Sequence, residues 1–276
     1  MIAGLVQLCS GDDPEANLSR TRRLVHDAAE KGAEFVLTPE VTNCVSASRS
    51  RQHGVLRPES DDPTLAALRG DAAENGVWLL IGSLALVNEQ DGAPFVNRSF
   101  LIAPDGSIAA RYDKIHMFDV AISETEVYRE SSGYAPGSAA VVAETEFGVV
   151  GLTICYDLRF PSLFRDLAQA GAAILTVPSA FASPTGQAHW ETLLRARAIE
   201  SGAFVLAPAQ TGTHPSSTSK KRSTFGHSMA VAPWGEVLAD AGTDVGVTLV
   251  DLNMEQVAES RRRIPSLRHD RAFQEG

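Results

Sequence analysis

Short apolar runs alternate with longer stretches of helical periodicity along almost the whole chain. The first run, at residues 2–9, is followed by a helical stretch that begins after Asp13 and ends at Gly32, and a later helical stretch at 189–201 ends at Gly202. A run too short for a helix and bounded by turn residues is typical of a buried strand. This alternation constrains the fold most, because strands joined through helices form sheets covered by helices.

Two hairpin signals interrupt the alternation. The first is Pro-Asp-Gly at residues 104–106 and the second is Pro-Trp-Gly at residues 233–235, and each lies between two apolar runs. Turn residues between apolar runs indicate antiparallel strand pairs. The combination predicts an α/β fold in which mixed, not purely parallel, sheets are layered with helices. The length permits one domain over residues 1–276 or two smaller ones, and no repeat or low-complexity linker interrupts the pattern.

The charge and the cysteine content exclude several classes of protein. The formal net charge is −10, which argues against nucleic acid as the main partner because phosphate binding needs a basic surface. The three cysteines, Cys9, Cys44 and Cys155, have no paired spacing, so we expect reduced thiols and no zinc site. The sequence shows neither the features of a signal peptide nor a run long enough to span a membrane. We therefore expect a cytoplasmic protein without a membrane partner.

Three reactive residue types follow strand-like runs. Glu40 ends FVLTPE, Lys114 follows RYD, and Cys155 follows VVGLTI. Ligands gather at the carboxyl ends of strands in open α/β sheets. The three types suit one reaction, in which a thiolate attacks a carbonyl or nitrile carbon, a carboxylate takes and returns the proton, and an ammonium stabilises the oxyanion. We also expect the ammonium to lower the pKa of the thiol.

Each of these residues has a simpler structural interpretation when it is taken alone. A single cysteine at a strand end is more often a small buried hydrophobic residue than a nucleophile. Glu40 fits the cap of a turn, and Lys114 fits a solvated residue at the end of a strand. Composition and periodicity do not bring the three side chains together in space. The pattern alone therefore leaves both interpretations of Cys155 open.

Five separated sequence blocks carry a resemblance to a known family. They are LTPE at 37–40, YDKIHMFD at 112–119, GLTICYDLRFP at 151–161, GQAHWETLLRARAIE at 186–200 and GHSMAVAPWGEVLA at 226–239. Through these blocks the chain resembles the nitrilase superfamily of carbon–nitrogen hydrolases, and within it the Nit branch. The resemblance covers most of the chain and implies an α-β-β-α sandwich. It also implies a homodimer or higher homo-oligomer, with contacts from the helix at 163–170 and from the C-terminal arm.

The resemblance also implies the roles of the reactive residues. Glu40 would be the general base, Lys114 the oxyanion stabiliser and Cys155 the nucleophile. The family has a second glutamate between the lysine and the cysteine, and the block YRESSGYAPG places it at Glu130; its structural alternative is a surface-loop carboxylate. The implied reaction is amide hydrolysis through a thioester, without a metal or an organic cofactor. The backbone N–H of Tyr156 would hold the oxyanion together with the lysine.

The block CYDLRF also bears on substrate binding. In the Nit branch the arginine of this block, here Arg159, is associated with a substrate carboxylate, and a guanidinium suits that role through paired hydrogen bonds. The alternative is a structural ion pair with Asp157. We further expect Tyr156, Phe181 and Ala182 to contact the substrate, the last two because they follow a predicted strand.

The remaining blocks concern which amide is hydrolysed. An amide that also carries an acid group fits α-ketoglutaramate, succinamate and deaminated glutathione. The segments TVPSAFASPTGQAHWETLLRARAIE and SKKRSTFGHS favour deaminated glutathione, since they resemble the group of the Nit branch that acts on it. In the loop at 213–223, Lys220, Lys221 and Arg222 are candidates for binding the distal carboxylate of a longer substrate. A solvated charge run is the alternative.

Three functions compete on these grounds. The first is an amidase that converts a small carboxylate-bearing amide to an acid and ammonia, with omega-amidase activity on α-ketoglutaramate as its near alternative. The second is an N-carbamoyl amino acid or nitrile hydrolase, and the carbamoyl form would release carbon dioxide with the ammonia. The third is a catalytically silent scaffold, against which the intact set of Glu40, Lys114 and Cys155 argues. We expect the first.

Overall fold

The computed structural model describes residues 1–90, 93–122, 124, 127–219 and 221–272 of the chain. The α-helices, in chain order, are α1 (Pro14–Glu30), α2 (Arg49–Val55), α3 (Pro63–Asn75), α4 (Pro161–Gln169), α5 (Ser183–Ser201) and α6 (Glu255–Arg263). The strands are β1 (Ile2–Gln7), β2 (Phe35–Leu37), β3 (Trp78–Val87), β4 (Phe95–Ile102), β5 (Ile108–Asp113), β6 (Asp119–Ala121), β7 (Val127–Arg129), β8 (Tyr134–Ala135), β9 (Val141–Thr145), β10 (Gly148–Leu152), β11 (Ile174–Thr176), β12 (Phe204–Ala207), β13 (Thr211–Thr213), β14 (Ser223–Phe225), β15 (Met229–Val231), β16 (Val237–Asp240) and β17 (Gly246–Asp251). Short 3-10 turns lie at Glu59–Asp61, Glu130–Ser132, Cys155–Arg159 and Ser266–Arg268.

The strands form two large mixed sheets and two short ribbons. The first sheet has the order β17-β1-β2-β3-β4-β5, with β8 paired to β4, and the second has the order β16-β15-β12-β11-β10-β9. Strands β1, β2 and β3 are parallel, and so are β10, β11 and β12. The turn at 104–106 joins the antiparallel pair β4 and β5, and the turn at 233–235 joins β15 and β16. Both hairpin predictions are therefore confirmed.

The two sheets pack face to face between two layers of helices. Leu5 and Leu37, on one face of the first sheet, share a core with Leu152 of the second sheet. Val6 points the other way and packs in a second core with Leu24 of α1 and with residues of α3, because successive side chains of a strand face opposite sides. Helices α4 and α5 cover the outer face of the second sheet. The predicted α/β fold, layered as an α-β-β-α sandwich, is confirmed.

Helix α1 begins where its capping residues predict. The side chain of Asp13 accepts hydrogen bonds from the backbone N–H groups of Glu15 and Ala16, and Pro14 occupies the first turn. An N-terminal helix position suits proline because its missing N–H would have no partner there. The sequence therefore fixes this boundary locally, without help from tertiary contacts.

Helix α5 begins at Ser183, earlier than the start predicted at His189. Its first turns contain Pro184 and Gly186 and have no apolar periodicity, so the sequence pattern indicates a loop there. Phe225 packs directly against the backbone of Gly186, where any side chain would overlap the ring. The added turns carry Ser183 and Pro184 to the candidate site.

The ends of four strands converge on one region between the sheets. Glu40 lies beyond β2, Lys114 directly follows β5, Cys155 lies beyond β10, and Ala180 lies beyond β11. The first two come from the first sheet and the last two from the second. None of the described helices is long and apolar enough to cross a membrane.

Candidate active site

Lys114 lies between two carboxylates at the wall of a cavity. Its Nζ is 2.9 Å from Glu40 Oε1 and 2.8 Å from Glu130 Oε2, and only 2% of its side chain is exposed. The structure therefore brings Glu40, Lys114 and Glu130 together. It excludes a solvated Lys114 and a Glu130 that is a simple surface carboxylate. We call these three residues the floor of the cavity.

The floor keeps its charges although it is buried. Burial alone would lower the pKa of Lys114, but the carboxylates of Glu130 and Glu40 raise that pKa well above its usual value. Burial alone would raise the pKa of Glu40, but the charges of Lys114 and Arg222 hold it below its usual range. Opposite charges at such short distances favour both charged forms. Lys114 is therefore an ammonium and Glu40 a carboxylate in the resting protein.

Two further groups hold the Glu40 carboxylate. Asn97 Nδ2 donates a hydrogen bond to Oε1 at 2.9 Å, and the backbone N–H of Ala180 donates to Oε2 at 2.8 Å. Sequence reasoning missed both residues. The signal for Asn97 is a polar amide within the apolar, buried strand β4, whereas a backbone donor such as Ala180 leaves no signal. Together with Lys114 these groups fix both oxygens of Glu40.

Cys155 adopts a left-handed backbone conformation where the chain leaves β10. Its φ is 50°, and a residue with a side chain pays about 1–3 kcal/mol for such a conformation. Its backbone N–H donates to the carbonyl oxygen of Pro178 at 3.0 Å, and the chain then enters a 3-10 turn. This sharp turn places the thiol close enough to the Glu40 carboxylate and the Lys114 ammonium for both charges to act on it. Such strain persists only where surrounding structure imposes it, and it clusters at functional sites.

The thiol of Cys155 is neutral at rest. Burial raises its pKa, and the carboxylate of Glu40 raises it further, while Lys114 lowers it by less than these two effects. The expectation of a thiol pKa lowered by lysine is therefore wrong for the net shift. The physical reason is that the sulfur is buried beside the carboxylate of Glu40, and the ammonium of Lys114 offsets these two effects only in part. The site thus pairs a protonated nucleophile with an ionised base.

Asp157 connects the segment around Lys114 to the turn after β10. Its buried carboxylate accepts hydrogen bonds from the Tyr112 hydroxyl at 2.7 Å, from the His116 backbone N–H at 3.1 Å and from the Ile154 backbone N–H at 2.8 Å. His116 Nδ1 lies a further 2.7 Å from Asp157 Oδ1. Since Tyr112 and His116 flank the lysine in sequence, Asp157 fixes the lysine relative to the cysteine.

Arg159 does not pair with Asp157, whose oxygens are occupied by the groups just described. Its guanidinium lies 3.3 Å from His189 Nδ1 and over the rings of Tyr156 and Phe181. It is not among the residues that line the cavity. The ion pair with Asp157 is therefore wrong as an interpretation, and a contact between Arg159 and a substrate carboxylate stays a prediction.

The other predicted substrate contacts lie near the cavity without lining it. Neither Tyr156, Phe181 and Ala182 nor Cys155 itself is part of the lining, so contacts of the first three with a substrate stay a prediction. Phe181 is buried in the main core and Ala182 is the N-cap residue of α5, so both serve packing and helix initiation. The segment after β11 reaches the cavity instead through Ser183 and Pro184, which are the residues added by the early start of α5.

A cavity of about 540 Å³ lies over the floor. Apart from the floor, the described charged residues that line it are Arg49, Arg129, Lys221 and Arg222, and we call these four residues the rim. Together with the lysine of the floor, the rim cations outnumber the two lining carboxylates in a protein whose net charge is −10. Such a local excess of positive charge attracts anions. In the described part of the chain, no group of three or more His, Cys, Asp or Glu is arranged to hold a metal ion.

The loop at 213–223 contributes to the rim. Lys221 and Arg222 line the cavity, where the sequence places candidates for a distal carboxylate site, whereas Lys220 lies outside the described residues. Arg222 Nη2 donates to the carbonyl oxygen of Ala180 at 2.9 Å. The loop is therefore anchored at the residue that also holds the Glu40 carboxylate.

Comparisons with known proteins agree with this geometry. The model of the carbon-nitrogen hydrolase family matches residues 2–262. A protein of Yersinia enterocolitica named deaminated glutathione amidase is 39% identical over 268 residues, which cover 97% of this chain and 92% of that protein. The C. elegans NitFhit structure is similar with a TM-score of 0.88 and 34% identity over 98% of this chain, which spans only 65% of the NitFhit chain. Saccharomyces cerevisiae Nit3, described as a member of branch 10 of the nitrilase superfamily, is similar with a TM-score of 0.84 and 26% identity, covering 96% of this chain and 94% of that one.

Proposed function

The chain belongs to the carbon–nitrogen hydrolase family, and from this premise we propose that it is a cysteine-dependent amidase acting on a small amide that carries carboxylate groups. The observation that carries the proposal is the position of the Cys155 thiol beside the Glu40 carboxylate and the Lys114 ammonium, which contact each other at 2.9 Å and both act on the thiol electrostatically. A thiol, a base that takes its proton and a cation for the developing oxyanion are the groups that amide hydrolysis through a thioester needs.

Acylation begins with the thiol and the carboxylate. Glu40 takes the proton of Cys155 while the sulfur attacks the amide carbon, so that the S–C bond forms and a carbonyl electron pair moves onto oxygen. Because the raised thiol pKa leaves little thiolate at rest, proton transfer and attack occur together. Lys114 and the backbone N–H of Tyr156 hold the oxyanion. The C–N bond then breaks, and the nitrogen leaves with the proton that Glu40 returns.

Deacylation releases the acid. Water attacks the thioester carbon while Glu40 accepts one of its protons, the C–S bond breaks, and that proton restores the thiol of Cys155. Glu130 acts as a positioning residue. It contacts Lys114 Nζ through both carboxylate oxygens, at 3.0 and 2.8 Å, and its Oε2 accepts the backbone N–H of Phe118 at 2.7 Å.

The leaving group depends on the amide. A primary amide such as α-ketoglutaramate releases ammonia, the leaving group expected from the sequence. Deaminated glutathione, which gives the Yersinia relative its name, joins its acyl part to a dipeptide and therefore releases an amine in place of ammonia. The volume of the cavity and the four rim cations favour this longer and more anionic amide. We therefore propose deaminated glutathione amidase-like activity, with omega-amidase activity as the weaker one.

We also propose a cytoplasmic homodimer, in which α4 and the C-terminal arm contribute contacts as the family resemblance implies. Two hydrogen bonds support a fixed arm, since Arg165 Nη2 donates to the carbonyl oxygen of Ser266 and Gln169 Nε2 to that of Leu267, both at 3.0 Å. Ile264 leaves 56% of its surface exposed next to this arm, as suits an apolar residue at an interface. Light scattering of the purified chain is the test, and a monomer would contradict the proposal.

The activity test compares deaminated glutathione with α-ketoglutaramate. Hydrolysis of either releases the same dicarboxylic acid, so one assay follows both. We expect a preference for deaminated glutathione and a loss of about 10⁴-fold or more in Cys155→Ala, since removal of a nucleophile has effects of this order. A folded Cys155→Ala protein with undiminished activity would refute the mechanism. Wild-type protein inactive on both amides would redirect the search to N-carbamoyl amino acids and nitriles.

A further inference from the structure

Two arginines of the rim have no carboxylate partner. Among the described residues, no carboxylate oxygen lies within 4.0 Å of the guanidinium of Arg49 or of Arg222. By contrast, Arg129 is close enough to Asp119 to lower the pKa of that carboxyl, although hydrogen bonds from Ser131 lower it more, and Lys221 is exposed to solvent. A half-buried guanidinium is usually paired, because desolvation of an unpaired charge is costly. These two arginines are therefore the strongest anion-binding groups of the cavity.

Arg49 is fixed in place by neutral partners. Its Nη1 donates to Gln52 Oε1 at 2.9 Å, and its guanidinium carbon lies 5.1 Å from the centre of the Tyr134 ring. Gln52 is held in turn by a hydrogen bond of 2.8 Å to the Tyr134 hydroxyl. A side chain at Gly133 would overlap the guanidinium, so the backbone leaves the space that Arg49 occupies. Its remaining N–H groups form a preorganised fork for a carboxylate.

Arg222 is fixed on another wall, next to the reacting groups. It donates to the carbonyl oxygen of Ala180, whose N–H holds Glu40. Burial raises the pKa of Glu40, and the charge of Arg222 lowers it, by less than the charge of Lys114 does. Ala180 follows β11 of the second sheet, whereas Tyr134, on which Arg49 packs, belongs to β8 of the first sheet. The two guanidiniums are thus presented to one cavity from two different sheets.

We propose that the substrate is a dianion whose two carboxylates flank the scissile amide: Arg222 binds the carboxylate of the acyl part, and Arg49 binds the terminal carboxylate of the leaving group. This inference rests on the amidase activity proposed above. The lengths of the two substrate arms, and the positions of the two arginines relative to the floor, decide which arginine binds which carboxylate. In deaminated glutathione the acyl arm between carboxylate and scissile carbon is shorter than the leaving-group arm. Arg222 is linked to Glu40 through Ala180, whereas Arg49 contacts none of the floor residues.

The experiment compares three substrates. They are deaminated glutathione, the same compound with its terminal carboxylate converted to a carboxamide, and α-ketoglutaramate, which has no leaving-group carboxylate. The proteins are wild type, Arg49→Gln and the matched control Arg51→Gln, which alters the same helix at a residue that does not line the cavity. Circular dichroism and thermal unfolding verify that each variant is folded.

We expect Arg49→Gln to raise KM for deaminated glutathione by about ten- to a hundredfold, the range of a hydrogen bond to a charged group. It should leave KM for α-ketoglutaramate within about twofold of wild type, because that substrate lacks the group that Arg49 binds. The carboxamide should raise KM for wild type by the same factor, and Arg49→Gln should add nothing further. Arg51→Gln should leave all three values unchanged.

Two results would overturn the inference while leaving the amidase activity intact. Equal losses on all three substrates would show that Arg49 only supports the fold, and no loss on any would show that it binds nothing. A wild-type protein inactive on both amides would refute the proposed function instead. In that case calorimetry still tests the role of Arg49. It compares the affinity of deaminated glutathione for Cys155→Ala with its affinity for the double variant Cys155→Ala/Arg49→Gln, and equal affinities would overturn that role.

Discussion

The floor and the rim of the cavity hold charge in opposite ways. In the floor, the Lys114 ammonium contacts the carboxylates of Glu40 and Glu130, and water is largely excluded. In the rim, Arg49 and Arg222 stay partly exposed and have no carboxylate within ion-pair distance among the described residues. A buried ion cluster is costly unless it is complete, whereas water solvates a half-exposed cation that lacks a partner.

The comparison separates chemistry from recognition. A change in the floor leaves a buried charge without its partner, so it should lower both the free energy of unfolding and kcat. Removing Arg49 from the rim takes away a group whose partners in the protein, Gln52 and Tyr134, are neutral, so it should change KM alone. The two regions share one cavity, yet they should respond to mutation, pH and salt in different ways.

The largest effect is expected from Lys114→Met. Removing the ammonium leaves the two floor carboxylates facing each other in a dry site, which should cost about 3–5 kcal/mol of unfolding free energy. The oxyanion also loses a donor, so kcat should fall by about 10²–10³-fold or more. Urea unfolding and steady-state kinetics measure the two effects.

The matched control is Lys31→Met at the C-cap of α1. Lys31 Nζ lies 2.8 Å from Asp27 Oδ2, a distance like those in the floor, but about half of the Lys31 side chain is exposed. Its loss should cost less than about 1 kcal/mol and should not change kcat. Equal unfolding free energies for Lys114→Met and wild type would show that the floor is not a charged cluster, and the contrast with the rim would fail.

An intermediate effect is expected from pH. In wild type, the lowered pKa of Glu40 means that its contribution to stability is present above the usual glutamate pKa and is lost as the pH falls through the lowered value. In Lys114→Met, the unpaired carboxylates should have raised pKa values. The folded variant then binds more protons than its unfolded chain, and its stability rises on acidification.

The unfolding free energies of wild type and Lys114→Met should therefore converge between about pH 7 and about pH 4, by roughly 1–2 kcal/mol. Urea unfolding across this range measures the convergence. The raised pKa of Lys114 has the opposite effect on the pH dependence of stability. The contribution of Lys114 to stability is complete below the usual lysine pKa and is lost only as the pH rises through the raised value. Parallel curves across the acidic range would contradict the charge assignment of the floor.

The smallest effect is expected from salt. Raising ionic strength from about 0.1 M to about 1 M shortens the Debye length from about 10 Å to about 3 Å, which screens partly exposed charges more than buried ones. KM for a dianionic amide should therefore rise a few-fold, while kcat stays constant. An uncharged amide provides the control. A fall in kcat at constant KM would mean that salt acts on the floor, and would reverse the comparison.

Sequence reasoning located the floor better than the rim, for physical reasons. Glu40 and Lys114 follow apolar runs whose ends are marked by the change in pattern, and parallel strands carry such ends to one edge of a sheet. Arg49 lies on α2, a helix of seven residues without apolar periodicity. No sequence pattern therefore predicts this helix or the direction of its side chains. Asn97 reaches Glu40 only through the register of β4 with its neighbours, which single-sequence patterns do not determine.

The same limit explains the early start of α5. Its first turns contain Pro184 and Gly186 without apolar periodicity, so the local pattern indicates a loop there. Phe225 packs directly against the backbone of Gly186, a contact between distant segments that no local pattern contains. Phe181 is buried in the core, and the added turn brings Ser183 and Pro184 to the cavity.

Burial of Cys155 beside a carboxylate also protects this sulfur from oxidation. Peroxides oxidise thiolates far faster than thiols, and oxidation beyond the sulfenic acid is largely irreversible. In the proposed mechanism Cys155 loses its proton only during attack on a bound amide, and just 6% of its surface is accessible at rest. Without bound substrate, the protein therefore exposes almost no reactive sulfur of Cys155 to an oxidant. It should keep its activity through oxidative stress that would destroy an enzyme whose nucleophile is permanently ionised.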